Sequence, residues 1–135
     1  MAAFNKFNSW VEYMTEGANI GSDQFTVALT NSAPVATNTV IADITEISYT
    51  NCSARTITTA SSAQSSGTQK LTLTDLTLTA SGGSVGPFRY VVIFDDTLAG
   101  DPLVGWYDYG SSITLASTET LLIDFDGTNG FITVA

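Results

Sequence analysis

Four carboxylates lie close together near the middle of the chain, where their spacing could support acid–base chemistry. Asp95 and Asp96 end one extended segment, Asp101 precedes the next, and Asp108 lies within it. Two carboxyl groups facing each other across a cleft can hydrolyse a glycoside. Acidic residues in turns are far more often solvated caps, and the chain has no histidine, the commonest general base. The sequence therefore favours a protein that is not an enzyme and needs no cofactor.

A second group of side chains, Trp106, Tyr107 and Tyr109, offers stacking surfaces rather than reactive atoms. Alternation along an extended chain places Tyr107 and Tyr109 on the face opposite Trp106. One of these faces is expected to be core. The other is a candidate exposed aromatic platform, because Tyr and Trp are enriched in sugar-binding and protein-binding surfaces. For that outward face, a purely structural role and a binding role remain equally open.

Residues 124–130 place oxygen-bearing side chains at alternate positions, as calcium loops do. They lack the distal glutamate of such loops, and extended segments flank them in place of helices. A turn between strands is therefore the favoured interpretation, and cation binding by Asp124 and Asp126 is left open. The single cysteine, Cys52, excludes an intrachain disulfide and a cysteine metal cluster.

Composition narrows the choice of partners. The chain has 135 residues, the length of one domain, and its net charge is −9 with only four Lys and Arg residues. Nucleic-acid binding needs clustered cations, and these four are scattered. No stretch approaches the roughly 18 apolar residues of a membrane span. We therefore expect a single soluble domain over residues 1–135, with neither a nucleic acid nor a membrane as partner.

The elements that must position these side chains are predicted to be short strands. Charged residues make up only 13% of the chain, and Thr, Ser and Asn supply the polarity, which suits half-exposed strands. Residues 88–94 are apolar on both faces of an extended chain. This pattern predicts a central strand covered on both sides, with residues 103–109 as its hairpin partner. Other alternating segments bring the total to about eight short strands and include residues 25–29, 55–59, 70–79, 113–115, 121–125 and 131–134.

Two irregular regions complete the β pattern. Residues 60–67 are predicted to form a polar connector, and the hydrophobic phase changes at Asp75, which predicts a bulge or a strand crossing between sheets. Short strands separated by turns, without alternating helices, favour an antiparallel sandwich or jelly-roll-like domain over residues 23–135.

The N-terminal region, residues 1–17, is predicted to contain one amphipathic helix over residues 4–16, because its apolar residues recur at intervals of three and four. That apolar stripe either covers the sheet or docks on a partner. Residues 40–49 are predicted to form a loop or short turn that closes on the core and could also make contacts. The candidate subunit or capsid interface therefore consists of Phe4, Phe7, Trp10, Val40, Ile41 and Ile44.

Several segments taken together carry a family resemblance: residues 23–39, 42–47, 82–90 and 106–115, and the Phe- and Trp-rich start. They resemble a family of small tailed-bacteriophage virion proteins, the capsid decoration or cement proteins with jelly-roll-like folds. The resemblance covers most of the chain. It implies a non-enzymatic protein that binds outside the major capsid shell and stabilises it. It transfers no catalytic, metal or cofactor residue.

The same resemblance implies the setting of the protein. Its partners would be the major capsid protein and further copies of the chain in a symmetric oligomer, with a homotrimer preferred and a dimer as the alternative. It would be made in the host cytoplasm and reside on the capsid exterior. A rival interpretation is a tail adhesin or carbohydrate-binding β-sandwich module, which would use Trp106, or Tyr107 and Tyr109, to stack on sugars.

Overall fold

A computed structural model describes residues 2–135 of the chain. The described residues form ten strands, one short α-helix, α1 (Trp10–Glu16), and one 3₁₀ turn at Ile41–Asp43. The strands are β1 (Phe4–Lys6), β2 (Phe25–Thr30), β3 (Thr56–Ile57), β4 (Thr59–Ser65), β5 (Thr68–Leu73), β6 (Leu76–Thr79), β7 (Val85–Asp95), β8 (Leu103–Leu115), β9 (Thr120–Ile123) and β10 (Ile132–Val134). The expected mainly β, antiparallel fold with one N-terminal helix is confirmed, with ten strands rather than about eight.

The strands form three antiparallel sheets. The largest has the order β1-β8-β7-β2-β3, a second has the order β10-β5-β4, and the third pairs β6 with β9. Leu71 of β5 and Ile123 of β9 are fully buried in the same apolar cluster as Val27 and Val91 of the large sheet. The two small sheets therefore pack over one face of the large sheet, in a sandwich-like arrangement.

The central strand β7 is buried on both faces, as its sequence predicts. Val91 and Ile93 belong to the main core, whereas Val92 and Phe94 belong to a second cluster on the opposite face. Every residue from Tyr90 to Asp95 is buried. The second cluster is covered by the N-terminal segment and the loop before residue 47, so the large sheet lies between two apolar layers.

The predicted N-terminal helix is wrong at its start. α1 begins only at Trp10, and Phe4–Lys6 is strand β1, which pairs with β8 through Phe4 opposite Tyr107 and Lys6 opposite Gly105. The apolar spacing has another cause. Phe7 packs in the cluster on one face of the large sheet and Trp10 in the cluster on the other, because the chain passes round the edge of the sheet between them.

The polar connector predicted at residues 60–67 is also wrong, since most of it is strand β4. This strand is the edge of its sheet and is largely exposed, so neither face needs the apolar alternation that predicts a strand. Ser66 and Gly67 form the turn into β5, both with positive φ. Likewise, residues 113–115 are the end of β8 rather than a separate strand, since β8 continues through a large register shift opposite Phe88 and Tyr90.

The change of hydrophobic phase at Asp75 is confirmed as a crossing between sheets. β5, before it, and β6, after it, belong to different sheets. The Asp75 side chain fixes the crossing, because its Oδ1 accepts a hydrogen bond of 2.8 Å from the backbone N–H of Phe125. Residues 124–130 form a turn, but β10 pairs with β5 rather than with β9, so this turn also carries the chain between sheets.

Candidate interaction surface

Two of the three aromatic residues predicted to make contacts from the N-terminal segment are buried in the chain itself. Phe7 is fully buried and packs against Trp106, with ring centroids 4.6 Å apart. Trp10 is 2% exposed and packs edge-to-face on Phe25. Phe7 and Trp10 are therefore withdrawn from the candidate interface, because they stabilise opposite faces of the large sheet. Phe4 remains available, with 37% of its surface exposed.

The second candidate segment, residues 40–49, also contains both buried and partly exposed candidate residues. Ile44 is 9% exposed and packs in the second cluster against the large sheet, so it is core rather than interface. Val40 and Ile41 are half-buried. Val40 forms an isolated bridge with Pro102, and the Ile41 N–H donates to the carbonyl of Asp101 at 3.0 Å. These contacts confirm a short turn that closes on the core and leave only Val40 and Ile41 near the surface.

The three candidate platform residues do not form one exposed surface. Tyr107 is 6% exposed and belongs to the main core, and Tyr109 packs at the edge of that core. Trp106 is half-buried on the opposite face, against Phe7. The prediction of an exposed aromatic platform is therefore wrong. Alternation along β8 places Trp106 on the face opposite Tyr107 and Tyr109, and other residues cover both faces at this point.

The four central carboxylates do not converge on a cleft. Asp108 forms a bidentate ion pair with Arg89, at 2.8 Å and 3.1 Å. Hydrogen bonding to that guanidinium holds the pKa of Asp108 below its ordinary value. Asp96 accepts a hydrogen bond from Thr26 Oγ1 at 3.2 Å. These side chains therefore act as partners within the sheet.

Asp95 has a different carboxyl neighbour, which the sequence does not indicate. Its Oδ1 accepts the N–H groups of Thr97 and Leu98, and its buried Oδ2 faces no donor among the described residues. Burial first, and the neighbouring carboxyl of Asp23 second, raise the pKa of Asp95 to about 6. Two carboxyl oxygens can share a hydrogen bond only when one is protonated, so Asp95 can donate to Asp23 only below about pH 6, where its carboxyl group carries a proton.

Both carboxylate oxygens of Asp126, near the end of the chain, accept hydrogen bonds within a turn. Asp126 accepts the backbone N–H groups of Thr128 and Asn129 at 2.9 and 2.8 Å, and its other oxygen accepts from Asn129 Nδ2. These bonds hold the pKa of Asp126 below its ordinary value.

Across residues 2–135, no group of three or more His, Cys, Asp or Glu side chains is placed to hold a metal ion. The described helices include none long and apolar enough to cross a membrane.

An open apolar groove, here called the β1 groove, runs along the first strand. Its first part has a volume of about 230 Å³ and lies between β1, α1 and β10, with Lys6 and Val11 among its lining residues. Its middle part, of about 340 Å³, shares Phe4 and Phe131 with the first. These two rings pack with their centroids 5.1 Å apart, so they form the centre of the groove.

The far end of the β1 groove lies beside β8 and β9. It has a volume of about 140 Å³, shares Ala2 and Tyr107 with the middle part, and is also lined by Leu122 and Asp124. The groove therefore has a cationic end at Lys6 and an anionic end at Asp124. Sequence reasoning identified Phe4 but missed the groove, because its lining residues come from β1, β9 and β10, which are distant in sequence and belong to three different sheets.

Exposed apolar side chains concentrate at the β1 groove. Among the described residues, the large exposed hydrophobic side chains are Phe4, Val11, Val35, Leu122 and Val134. Three of them, Phe4, Val11 and Leu122, line the groove. Val134 follows the groove residue Thr133 on β10. Clustered exposed apolar side chains mark interaction surfaces, whereas isolated ones are ordinary.

Val35 lies apart, on a loop of residues 34–41 here called the Val35 loop. Val35 is 54% exposed. Its N–H donates to Asn38 Oδ1, and the Asn38 N–H donates back to the carbonyl of Val35, both at 2.9 Å. The Asp43 carboxylate accepts the N–H groups of Thr39 and Val40 at 2.9 and 3.3 Å. The loop is therefore fixed by its own hydrogen bonds while it presents an apolar side chain.

Comparison of the chain with protein families, curated proteins and solved structures returned no match. The two surfaces just described, the β1 groove and the Val35 loop, are thus the structural basis for inferring function.

Proposed function

We propose that the chain is a non-enzymatic bacteriophage capsid decoration protein, which binds the outside of the major capsid shell as a symmetric oligomer and stabilises the shell. The resemblance of its sequence segments to virion proteins supplies the class of function. The observation that carries the proposal is the Val35 loop. A single exposed apolar side chain is ordinary, but Val35 lies on a loop that is fixed by its own hydrogen bonds, which suits a contact with the major capsid protein.

The construction of the Val35 loop supports a permanent contact. The loop is tied to the N-terminal segment by a hydrogen bond of 2.9 Å from the Asn8 N–H to the Ala36 carbonyl. It is tied to β8 by a bond of 3.0 Å from the Leu103 N–H to the Thr39 carbonyl. A loop that is ordered before binding loses little conformational entropy on binding, so its few apolar contacts contribute more fully to affinity.

The composition of the surface supports the same proposal. Charged residues are few, and the exposed strand β4 has the sequence Thr-Ala-Ser-Ser-Ala-Gln-Ser. Short polar side chains lose little rotamer entropy in an interface, whereas Lys and Glu lose more. An oligomer can also contact several capsid subunits at once, which raises the overall affinity without strong single contacts.

The proposal is tested with expanded capsid shells that lack the protein. Purified chain is added, and the temperature at which the shells disrupt is measured by light scattering. We expect wild-type protein to raise that temperature and Val35→Asp to leave it unchanged, because a carboxylate in an apolar contact loses its hydration. Ala60→Asp, which adds the same charge at an exposed position on β4 and lies outside both the Val35 loop and the β1 groove, is the matched control and should still protect. Shells that gain no stability from wild-type protein would contradict the proposal.

A further inference from the structure

We propose that the β1 groove is the surface through which two copies of the chain associate about a twofold axis. The Lys6 end of each groove lies against the Asp124 end of the other. This inference deepens the proposed function and rests on it only for the existence of an oligomer, since nothing in the groove requires a capsid.

The charges at the two ends of the β1 groove are complementary, which supports this association. Lys6 is exposed and forms no ion pair among the described residues. The two ion pairs found there are formed by Arg55 and Arg89. Asp124 lies at the opposite end of the groove, beyond Ala2. The strand from Ala2 to Lys6 covers roughly 13 Å at the ordinary rise of an extended chain. A twofold rotation about the middle of the groove exchanges its ends, so it brings each lysine to the partner's Asp124.

The need for such pairing follows from the net charge. Two copies of a chain with charge −9 repel each other, so a contact between them requires a surface that offsets the repulsion locally. The other charged side chain that lines the groove is Asp126, in the middle part. Because the middle part meets its own copy under the twofold rotation, Asp126 faces the middle of the partner's groove, and the Lys6–Asp124 pairs at the two ends supply the local attraction.

The apolar side chains follow the same symmetry. Val11 lies at the Lys6 end and Leu122 at the Asp124 end, and both are exposed, at 44% and 54%. A twofold rotation places each Val11 against the partner's Leu122. Phe4 and Phe131, at the centre, meet their own copies. A surface that matches itself when its ends are exchanged is the property of an isologous interface.

The strand edges point to the same surface. β1 is the outer strand of the five-stranded sheet and β10 is the outer strand of the three-stranded sheet, and both border the groove. Exposed strand edges of this kind favour pairing with another chain unless they are covered. A second copy seated on the groove would cover both edges.

The twofold arrangement is favoured over the trimer implied by the sequence resemblance. A closed trimer uses a heterologous interface, in which two different surfaces of each copy meet. The β1 groove combines both charges and both apolar ends in one surface. The second apolar position, on the Val35 loop, stays free for the capsid.

The test is a charge exchange, read as molecular mass by light scattering and sedimentation equilibrium at low salt. We expect wild-type protein to dimerise, Lys6→Glu to weaken the dimer at least tenfold, and Lys6→Glu combined with Asp124→Lys to restore most of the affinity. The matched control is Ser66→Asp with Ala99→Asp, which changes the net charge equally at exposed positions elsewhere and should dimerise like the wild type. Near-ultraviolet circular dichroism checks folding, and Lys6→Gln, with a milder loss, serves if Lys6→Glu does not fold.

Three results would overturn the inference: a wild-type chain that stays monomeric or forms trimers, a folded Lys6→Glu variant that dimerises normally, or a charge exchange that fails to restore the dimer. The outcome is distinct from that of the capsid experiment. A dimer that does not bind shells contradicts the proposed function alone, whereas a trimer that protects shells contradicts only the twofold association.

Discussion

Gly105 lies beneath the ring of Phe4, in the pairing between β8 and β1. A Cβ at residue 105 would meet that ring and would also lie 2.5 Å from the carbonyl oxygen of Asn5. A side chain at this position is excluded by backbone on one side and by a packed aromatic ring on the other. The position of β1, and with it the floor of the β1 groove, depends on residue 105 being a glycine.

Gly105→Ala is therefore expected to destabilise the protein by about 2 kcal/mol, because overpacking forces backbone and ring to shift. The free energy of unfolding is measured by urea denaturation. Gly127→Ala is the matched control, since a Cβ at Gly127 meets nothing within 4 Å, and it should change stability by less than about 0.5 kcal/mol. Equal effects of the two substitutions would show that β1 does not lie against β8 as described.

The raised pKa of Asp95, which is buried beside the carboxyl group of Asp23, predicts an unusual dependence of stability on pH. The pKa of Asp95 is about 6 in the folded protein against an ordinary value of 3.8. Because the folded pKa is the higher one, the stabilisation is complete below about pH 4 and is lost as pH rises through 6. The loss is on the order of 2 kcal/mol.

Asp95→Asn removes this titration while its amide can still donate to Asp23. Its free energy of unfolding should therefore rise relative to that of the wild type as pH increases from 4 to 7. Asp101→Asn, on the same hairpin loop, is the control and should track the wild type over that range. If wild type and Asp95→Asn keep a constant difference in stability at every pH, the pair does not share a proton.

Tyr49 completes the hydrogen bonding of the buried strand β2. Its hydroxyl accepts the N–H of Leu29 at 2.8 Å and donates to Glu46 Oε1 at 2.7 Å, and burial raises its pKa. Arg55 lies over its ring, 3.6 Å from the centroid. Tyr49→Phe keeps the ring for Arg55 but leaves the buried Leu29 N–H without an acceptor, so we expect a loss of about 2 kcal/mol.

Thermal or urea unfolding measures this loss, and Tyr13→Phe is the comparison, because Tyr13 is half-buried on α1 and its hydroxyl forms no hydrogen bond in the described structure. A Tyr49→Phe variant as stable as Tyr13→Phe would mean that the Leu29 N–H finds another acceptor, such as water.

The two interaction surfaces should be separable by mutation. Val35→Asp is expected to abolish binding to shells and leave the dimer intact, because Val35 does not line the β1 groove. Lys6→Glu should dissociate the dimer and weaken shell binding by about tenfold or more, through lost avidity. Co-sedimentation with shells and light scattering measure the two properties on the same samples. A Val35→Asp variant that loses the dimer together with shell binding, or a dissociated Lys6→Glu variant that binds shells as tightly as the wild type, would contradict this prediction.

Much of the fold is predictable because it depends on local patterns. The apolar residues on both faces of residues 88–94 identify a strand buried on both sides. The phase change at Asp75 predicts a bulge or a crossing between sheets, and the structure has the crossing. Both signals arise from the period of two in an extended chain. Such patterns predict structure wherever the burial of one face of a strand determines which of its side chains are apolar.

The remaining features depend on packing that no local pattern records. The spacing of Phe4, Phe7 and Trp10 imitates a helix, although these residues lie on a strand, at a sheet edge and on a short helix in turn. β4 is polar because it is an exposed edge, so its sequence resembles a loop. The β1 groove and the Asp95 pair with Asp23 require segments distant in sequence to meet, which only the tertiary structure determines.

The most direct test of the account is saturable binding of the purified chain to expanded capsid shells that lack it. Bound protein is quantified across a titration, with the mass of the free protein read by light scattering in the same sample. We expect saturation at a fixed ratio to the major capsid protein, by a species with twice the mass of one chain. Absence of saturable binding by a folded dimer would contradict the proposed role as a capsid decoration protein.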